Sequence, residues 1–548
     1  RVSSSRPPIC PRPPPSLAAM SPTIEKPEAP AGKKAPYVNG AKVLVDGEVR
    51  PWTGPCSDVV SPVFAADGSR IVIGRQAIMS TDDSMAAVDA AARSWNKGRG
   101  EWARSSQEKR IATVEALVQR LQQRRTEIVE VLQWEICKND ADAAKEFDRT
   151  MEFIQSSIEH LREAESTGTV CDGGIHAKIR RSPVGVMMNL GPMNYPFNET
   201  YATLIPALLY GNSVVMKIPN IGGLAHVLTM EAYAETFPKG VVNFVAGRGR
   251  DTMPPIMKSG KVDLFAFIGS SKAADSLIRQ HPQPHRLRSL LSLDGKNLGI
   301  VMPDADLSVA VKECLSGSTS FNGQRCTAVK LIALHKSIAK AFCEQFCKAV
   351  SGLSAGPPFG KHNITPLPEP DKPEYLQGLV DDAKAGGASV INDCGGQTDR
   401  TLVFPSVLFP VTRSMRAYHE EQFGPLIAIA EYEDIDAILD HLAEVHFGQQ
   451  VSLFTSPTSE GSPELARILD ACALSTCRVN INAQCQRGPD TFPFAGRKSS
   501  ALGTISVTEV LRAVSVETLV AGKKRAEVDN IAQGSAVFAP VAKKAKAA

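Results

Sequence analysis

The chain reads as an α/β protein made of two lobes, each built on a mostly parallel sheet with helices on both faces. From residue 184 onward, short apolar runs alternate with helix-length segments punctuated by Gly and Pro, and a second series of the same kind follows Cys326. No internal repeat relates the two series, so two different lobes account for 548 residues, more than one ordinary domain holds.

The elements follow in chain order. Pro7, Pro8, Pro11 and the run Pro13 to Pro15, with Ser and Arg around them and no acid before Glu25, predict a disordered or targeting segment over residues 1–36. Between Glu101 and Asn139, Ile111, Val114, Val118, Leu121, Ile128, Val131 and Leu132 recur at helical spacing, which predicts a long amphipathic helix or a helix pair. Strands are expected at 184–190, 213–217, 241–245, 262–267 and 298–302 in the first series. In the second they are expected at 328–334, 389–391 and 426–430. Lys523, Lys524 and Arg525, then Lys543, Lys544 and Lys546, make residues 521–548 a basic tail, read as a solvated terminus.

Composition removes several function classes. Hydrophobic residues at 43% and charged residues at 22% lie in the globular range. With 61 basic against 58 acidic residues there is no general field for nucleic acid. The longest apolar run, 202–216, is interrupted by Pro206, Gly211 and Asn212 and falls short of the ~20 residues a bilayer requires, so no membrane association is expected. The 12 cysteines are scattered without a Cys-x-x-Cys pair, as in an intracellular protein, and a cytoplasmic location follows unless the first segment directs organellar import. Cys343 and Cys347 lack a nearby histidine and read as core packing, so no metal is expected.

Four segments can carry chemistry. The run 247–252 imitates a dinucleotide fingerprint, but Thr252 stands in place of the third glycine. At 267–271 an apolar strand runs into Gly269, Ser270, Ser271 and then a helix, a start that attracts phosphate, or is an ordinary cap. The turn 191–196, held by Pro192 and Pro196, presents Asn194 and Tyr195 at a strand end; the Asn194 amide can face an oxyanion or close an Asx turn. At 321–327, Cys326 lies beside Arg325 and Gly323, surroundings that would favour the thiolate and leave it accessible, although on this segment alone a buried structural cysteine is the stronger reading.

Together these segments resemble the aldehyde dehydrogenase superfamily, and within it the non-phosphorylating glyceraldehyde-3-phosphate dehydrogenase branch. The resemblance runs from about Tyr37 to about Leu519. Its signposts occur in order at 135–138, 147–150, 191–196, 211–219, 267–270, 295–297, 323–327, 421–425 and 487–494. It implies a Rossmann-like cofactor domain over 37–170 and 186–310, a catalytic domain over 311–503, and a small bridging element over 171–185 and 504–520 through which a homodimer or homotetramer forms. It further implies that Cys326 attacks the aldehyde carbon while the Asn194 amide and the Cys326 backbone N–H hold the oxyanion. Lys217 would meet the adenine ribose, Gly269 and Ser270 the pyrophosphate, and Glu421 and Phe423 the nicotinamide ribose. A neutral Asn220, where NAD-preferring relatives carry glutamate, points to NADP, with NAD possible. Arg149, Tyr195, Arg325, Thr327 and Arg487 would hold a phosphorylated aldehyde such as glyceraldehyde 3-phosphate.

The resemblance breaks at one place that matters. Where the family carries its general-base glutamate this chain has Ser292, and a hydroxyl accepts no proton near neutral pH without a base of its own. Asp294, two residues on, is the candidate substitute. Ala274, Cys477 and Ala501 also replace family glycines. A second expectation therefore stands beside the enzyme: a catalytically impaired paralogue kept for binding or assembly.

Overall fold

The computed structural model describes residues 22–456 and 462–539. Its first sheet has six strands, in spatial order Val242–Val245, Ser213–Lys217, Val186–Leu190, Leu264–Ile268, Arg288–Ser292 and Ala501–Leu502. The first five are parallel and the last is antiparallel. By chain position the order is third, second, first, fourth, fifth, so it reverses between Val186–Leu190 and Leu264–Ile268. Crossovers leave such a switch point in opposite directions and open a crevice at the carboxyl ends of the strands. Ser213–Lys217 is buried along its whole length, which is why it reads as a continuous apolar run and not as an alternation.

The second sheet has seven strands, ordered Ser389–Val390, Ser406–Phe409, Leu426–Tyr432, Val329–His335, Asn297–Val301, Gln450–Phe454 and Arg478–Ile481. Side chains on its strands alternate between two cores. Leu331 and Ala333 join Leu298 and Ile300 on one face, while Ile332 and Leu334 join Val301 on the other.

Several boundaries differ from expectation. Asn297–Val301 was assigned to the first lobe but pairs with Val329–His335 and Gln450–Phe454, so the chain crosses between sheets at residues 293–296 and not at 310. Ala501–Leu502, expected in the second lobe, returns to pair with Arg288–Ser292. An apolar run does not name its sheet; the partner strands do. Pro22–Pro36 is docked, contrary to the expected disorder: Thr23–Ile24 pairs with Ser354–Ala355, and the Ala29 N–H donates to the Phe64 carbonyl at 2.8 Å. The proline run lies outside the described residues.

The expected basic tail contains the helix Arg525–Gln533, which buries Val528 and Ala532 against the small sheet formed by Ser515–Gly522, Ile175–Pro183 and Val170–Asp172. An apolar pair at i, i+4 inside a charged stretch is enough to dock one turn of helix. Lys543, Lys544 and Lys546 lie outside the described residues. The segment 107–136 is a helix pair, Gln107–Gln123 and Arg125–Ile136, broken at Arg124 where φ is −101° and ψ 9°. No described helix is long and apolar enough to cross a membrane, and no metal-type cluster of His, Cys, Asp or Glu occurs among the described residues.

Candidate active site

The chain leaves the carboxyl end of Arg288–Ser292 and four residues later enters the amino end of Asn297–Val301. A cleft between the sheets is therefore walled by loops that follow strands of the first and loops that precede strands of the second. It holds a cavity of about 1040 Å³. Asn194, Tyr195, Gly269, Ser270 and Ser292 border it from one side, and Arg325, Cys326, Thr327, Glu421, Phe423 and Arg487 from the other. Arg149 reaches it from the helix Asp140–Ala164. Two expected residues do not border it. Lys217 is buried at the end of its strand with the ammonium on the Ile218 carbonyl, and burial pushes its pKa down to about 8. Asn220 is exposed on the bend beyond. The run at 247–252 opens the helix Gly249–Lys258, away from the cavity.

Backbone conformation places the nucleophile. After the helix Leu307–Thr319, Phe321, Asn322 and Gly323 are left-handed in succession, with φ of 46°, 58° and 69°. At Gly323 a β-carbon would lie 2.6 Å from the Ser318 carbonyl oxygen, so no other residue fits. The Asn322 amide locks the turn, donating to Thr365 Oγ1 at 3.1 Å and accepting from the Thr365 N–H at 2.9 Å. Asn297 Nδ2 donates to the carbonyls of Cys326 (2.7 Å) and Ala328 (2.9 Å), and Lys330 Nζ to those of Gly295 (2.9 Å) and Cys326 (3.2 Å).

Asn194 ties the two walls together, its Nδ2 donating to the Gln324 carbonyl at 2.7 Å. A primary amide carries two N–H bonds, so one is left for a ligand in the cavity. The Cys326 thiol is half-buried and borders the cavity, but its surroundings do not favour the thiolate that its neighbours in sequence suggested. Burial, with the negative charge of Glu199 added, pushes its pKa up to about 11 against the opposing pull of Lys330 and Arg487. Arg325 turns one guanidinium nitrogen away from the sulfur, its Nη2 donating to the Gly317 carbonyl at 2.9 Å.

Ser292 is buried at the end of its strand, and its carbonyl accepts from the Gly269 N–H at 3.1 Å. Asp294, the candidate substitute, borders the cavity with its carboxylate already engaged. Its Oδ2 accepts from the Ser271 N–H at 2.7 Å and from Ser271 Oγ at 2.8 Å, so it sits at the start of the helix Ser271–Ile278 that Ser270 caps. Glu421 is held by an ion pair with buried Lys330, and Phe423 is left-handed at φ 44°.

The cationic wall is already partly compensated. Arg149 makes two bonds to Asp490, at 2.6 and 3.1 Å. Arg487 pairs with Glu199 and lies 3.4 Å from Asp490. Arg487 Nη2 and Arg325 Nε are nonetheless buried without a hydrogen-bond partner among the described residues, donors suited to an anion. Beside Tyr195, Lys138 Nζ lies 3.4 Å from the ring centroid and pairs with Glu146.

Residues 54–520 match the aldehyde dehydrogenase family. This chain belongs to that family. Among curated relatives, it is 33% identical to the NADP-dependent glyceraldehyde-3-phosphate dehydrogenase of Streptococcus equinus over 394 residues, 70% of this chain and 80% of that one. The enzyme of the same name from Pisum sativum is 30% identical over 429 residues, 76% and 84% of the two chains. Among solved structures, the NADP-dependent glyceraldehyde-3-phosphate dehydrogenase of Bacillus halodurans complexed with NADP superposes with a TM-score of 0.79 at 28% identity. That match covers 88% of this chain and 99% of the other.

Open sheets of this kind offer a dinucleotide the crevice at the switch point, and Gly269, Ser270, Glu421 and Phe423, which border the cavity, would suit one. Asp294 is the exception, because its carboxylate holds the helix-start amide that a phosphate would take. Sequence reasoning missed two buried charges here. Lys330 lies inside the strand Val329–His335, and Glu199 is the only charged residue of the helix Pro196–Tyr210. A lone charge within an apolar run was the available signal for each.

Proposed function

We propose that this aldehyde dehydrogenase oxidises glyceraldehyde 3-phosphate, or a similar phosphorylated aldehyde, to the acid with NADP through a thioester on Cys326. The observation that carries it is the bordering of one cavity by Cys326, Asn194 and three arginines, with buried guanidinium N–H groups left unbonded. The likeness to NADP-dependent relatives supports NADP; NAD is the alternative. Arg149, Arg325 and Arg487, with Tyr195 and Thr327, orient the phosphate end of the substrate. Cys326 gives its thiol proton to solvent and adds to the carbonyl carbon as the thiolate, and the free N–H of Asn194 and the Cys326 backbone N–H receive the oxyanion. NADP, when bound, supplies the hydride acceptor. Water then opens the thioester, a step that Ser292 cannot assist by taking a proton.

Mixed with NADP and glyceraldehyde 3-phosphate, the protein gives NADPH absorbance, and Cys326→Ala abolishes it. Turnover persisting in that variant rules the mechanism out. A second reading is favoured by Ser292 and Asp294: an impaired paralogue kept for binding or assembly, which gives neither an NADPH burst nor NADP binding. We assign assembly to a homodimer or homotetramer through the small sheet at Ile175–Pro183 and Ser515–Gly522.

A further inference from the structure

Replacing a glutamate by Ser292 leaves the thioester without a base on the first sheet, but not without a carboxylate in the cavity. Glu199 lies in the first turn of the helix Pro196–Tyr210, five residues after Asn194, and borders the cavity together with Asn194, Cys326 and Arg487. Every residue of that helix is buried, and Glu199 is 9% exposed. A carboxylate in such a helix costs several kcal/mol unless it is compensated. Its ion-pair partner is Arg487, which also has Asp490 nearby at 3.4 Å. Of the charges acting on the Cys326 sulfur, that of Glu199 is the largest. Its charge also reaches Arg149 and Lys138, so it stands among the groups that surround the substrate position.

We infer that Glu199 is the general base of thioester hydrolysis in this protein, acting from the helix face of the cavity in place of the residue at 292. The inference rests on the thioester mechanism proposed above. Arg487 is shared: a substrate phosphate that takes its guanidinium draws it from Glu199 and releases the carboxylate for water. In the step itself a water O–H gives its proton to Glu199 while the water oxygen bonds to the thioester carbon. The C–S bond then breaks, and its electron pair leaves on the Cys326 sulfur. Glu199 returns the proton to that sulfur, and the product acid ionises to solvent. No oxidant or reductant enters, since the oxidation is complete once the thioester exists.

Glu199→Gln keeps the shape and removes the base. Rapid mixing of the full-length protein with NADP and glyceraldehyde 3-phosphate reads both phases. The wild type gives a burst followed by steady turnover. The variant keeps the burst, which shows that it is folded and acylates, and loses steady turnover by roughly 10²–10⁴-fold. Intact-mass measurement then finds the acyl group on Cys326, and adding Ser292→Glu to the variant restores the steady phase, which a merely structural role for Glu199 does not predict. A steady rate unchanged in Glu199→Gln overturns the role of Glu199 and leaves the thioester mechanism standing. Loss of both burst and steady phase in a folded variant also overturns it, since acylation would then be the step affected. A wild type that shows no burst, no turnover and no acyl adduct overturns the mechanism and this inference with it.

Discussion

The pKa of the half-buried Cys326 thiol is pushed up to about 11, because loss of hydration disfavours the thiolate and Glu199 adds negative charge. At pH 8 only ~0.1% of the sulfur is thiolate. Its alkylation by iodoacetamide in the absence of substrate should therefore quicken about tenfold for each pH unit from 7 to 10, with no plateau in that range. A plateau near pH 7 would mean that the surroundings stabilise the thiolate, as its sequence neighbours had suggested. Cys326 was expected beside a charge that favours its thiolate, and the structure gives it the opposite neighbour. Proximity to Arg325 along the chain does not put that guanidinium on the sulfur, and the charge that does act, Glu199, lies 127 positions away in a helix that reads as core. Ser292 was legible as a departure because its neighbours Leu291, Leu293 and Lys296 keep the pattern around it. Where a substitute base stood was not legible, because it depends on which helix faces the cleft.

At the scale of elements, the start of the helix Ser271–Ile278 reads from sequence as either phosphate-attracting or an ordinary cap, and the structure gives it the Ser270 cap and an internal anion. Helix N-termini carry partial positive charge and unbonded N–H groups, and Asp294 takes both roles of an incoming phosphate by bonding Ser271 N and Oγ. A dinucleotide pyrophosphate must displace it or bear its repulsion. Asp294→Ala should thus tighten NADP roughly tenfold, on the order of 1.4 kcal/mol, when measured by calorimetric titration. Weaker binding in the variant would mean that Asp294 helps to build the site. The strands around this helix were readable because buried parallel strands leave continuous apolar runs. Assignment of Asn297–Val301 to a sheet was not, since its apolar residues suit either core equally.

For the whole molecule, the small sheet Ser515–Gly522, Ile175–Pro183 and Val170–Asp172 presents two unlike faces. Lys178 and Arg180 point to the side covered by the chain and are 7% and 3% exposed. On the other side the antiparallel register brings Leu519 opposite Ile179 and Val170 opposite Ala177, so Val170, Ile175, Ile179 and Leu519 share one face, at 43–59% exposure. Bulky apolar side chains lined up on one open face mark an association surface more often than a solvated one. If copies of this chain meet there, Ile179→Lys with Leu519→Lys should lower the molar mass in light scattering to that of a monomer. Cofactor binding should survive, because neither side chain borders the cavity. A wild-type protein that is already monomeric, or a mutant whose mass does not fall, would remove this sheet from the assembly. The same alternation explains why sequence alone pointed to the segment without giving its face: a strand pattern fixes which residues go together, and the elements docked on one side, among them the helix Arg525–Gln533 hidden in a run of charge, fix which side is left open.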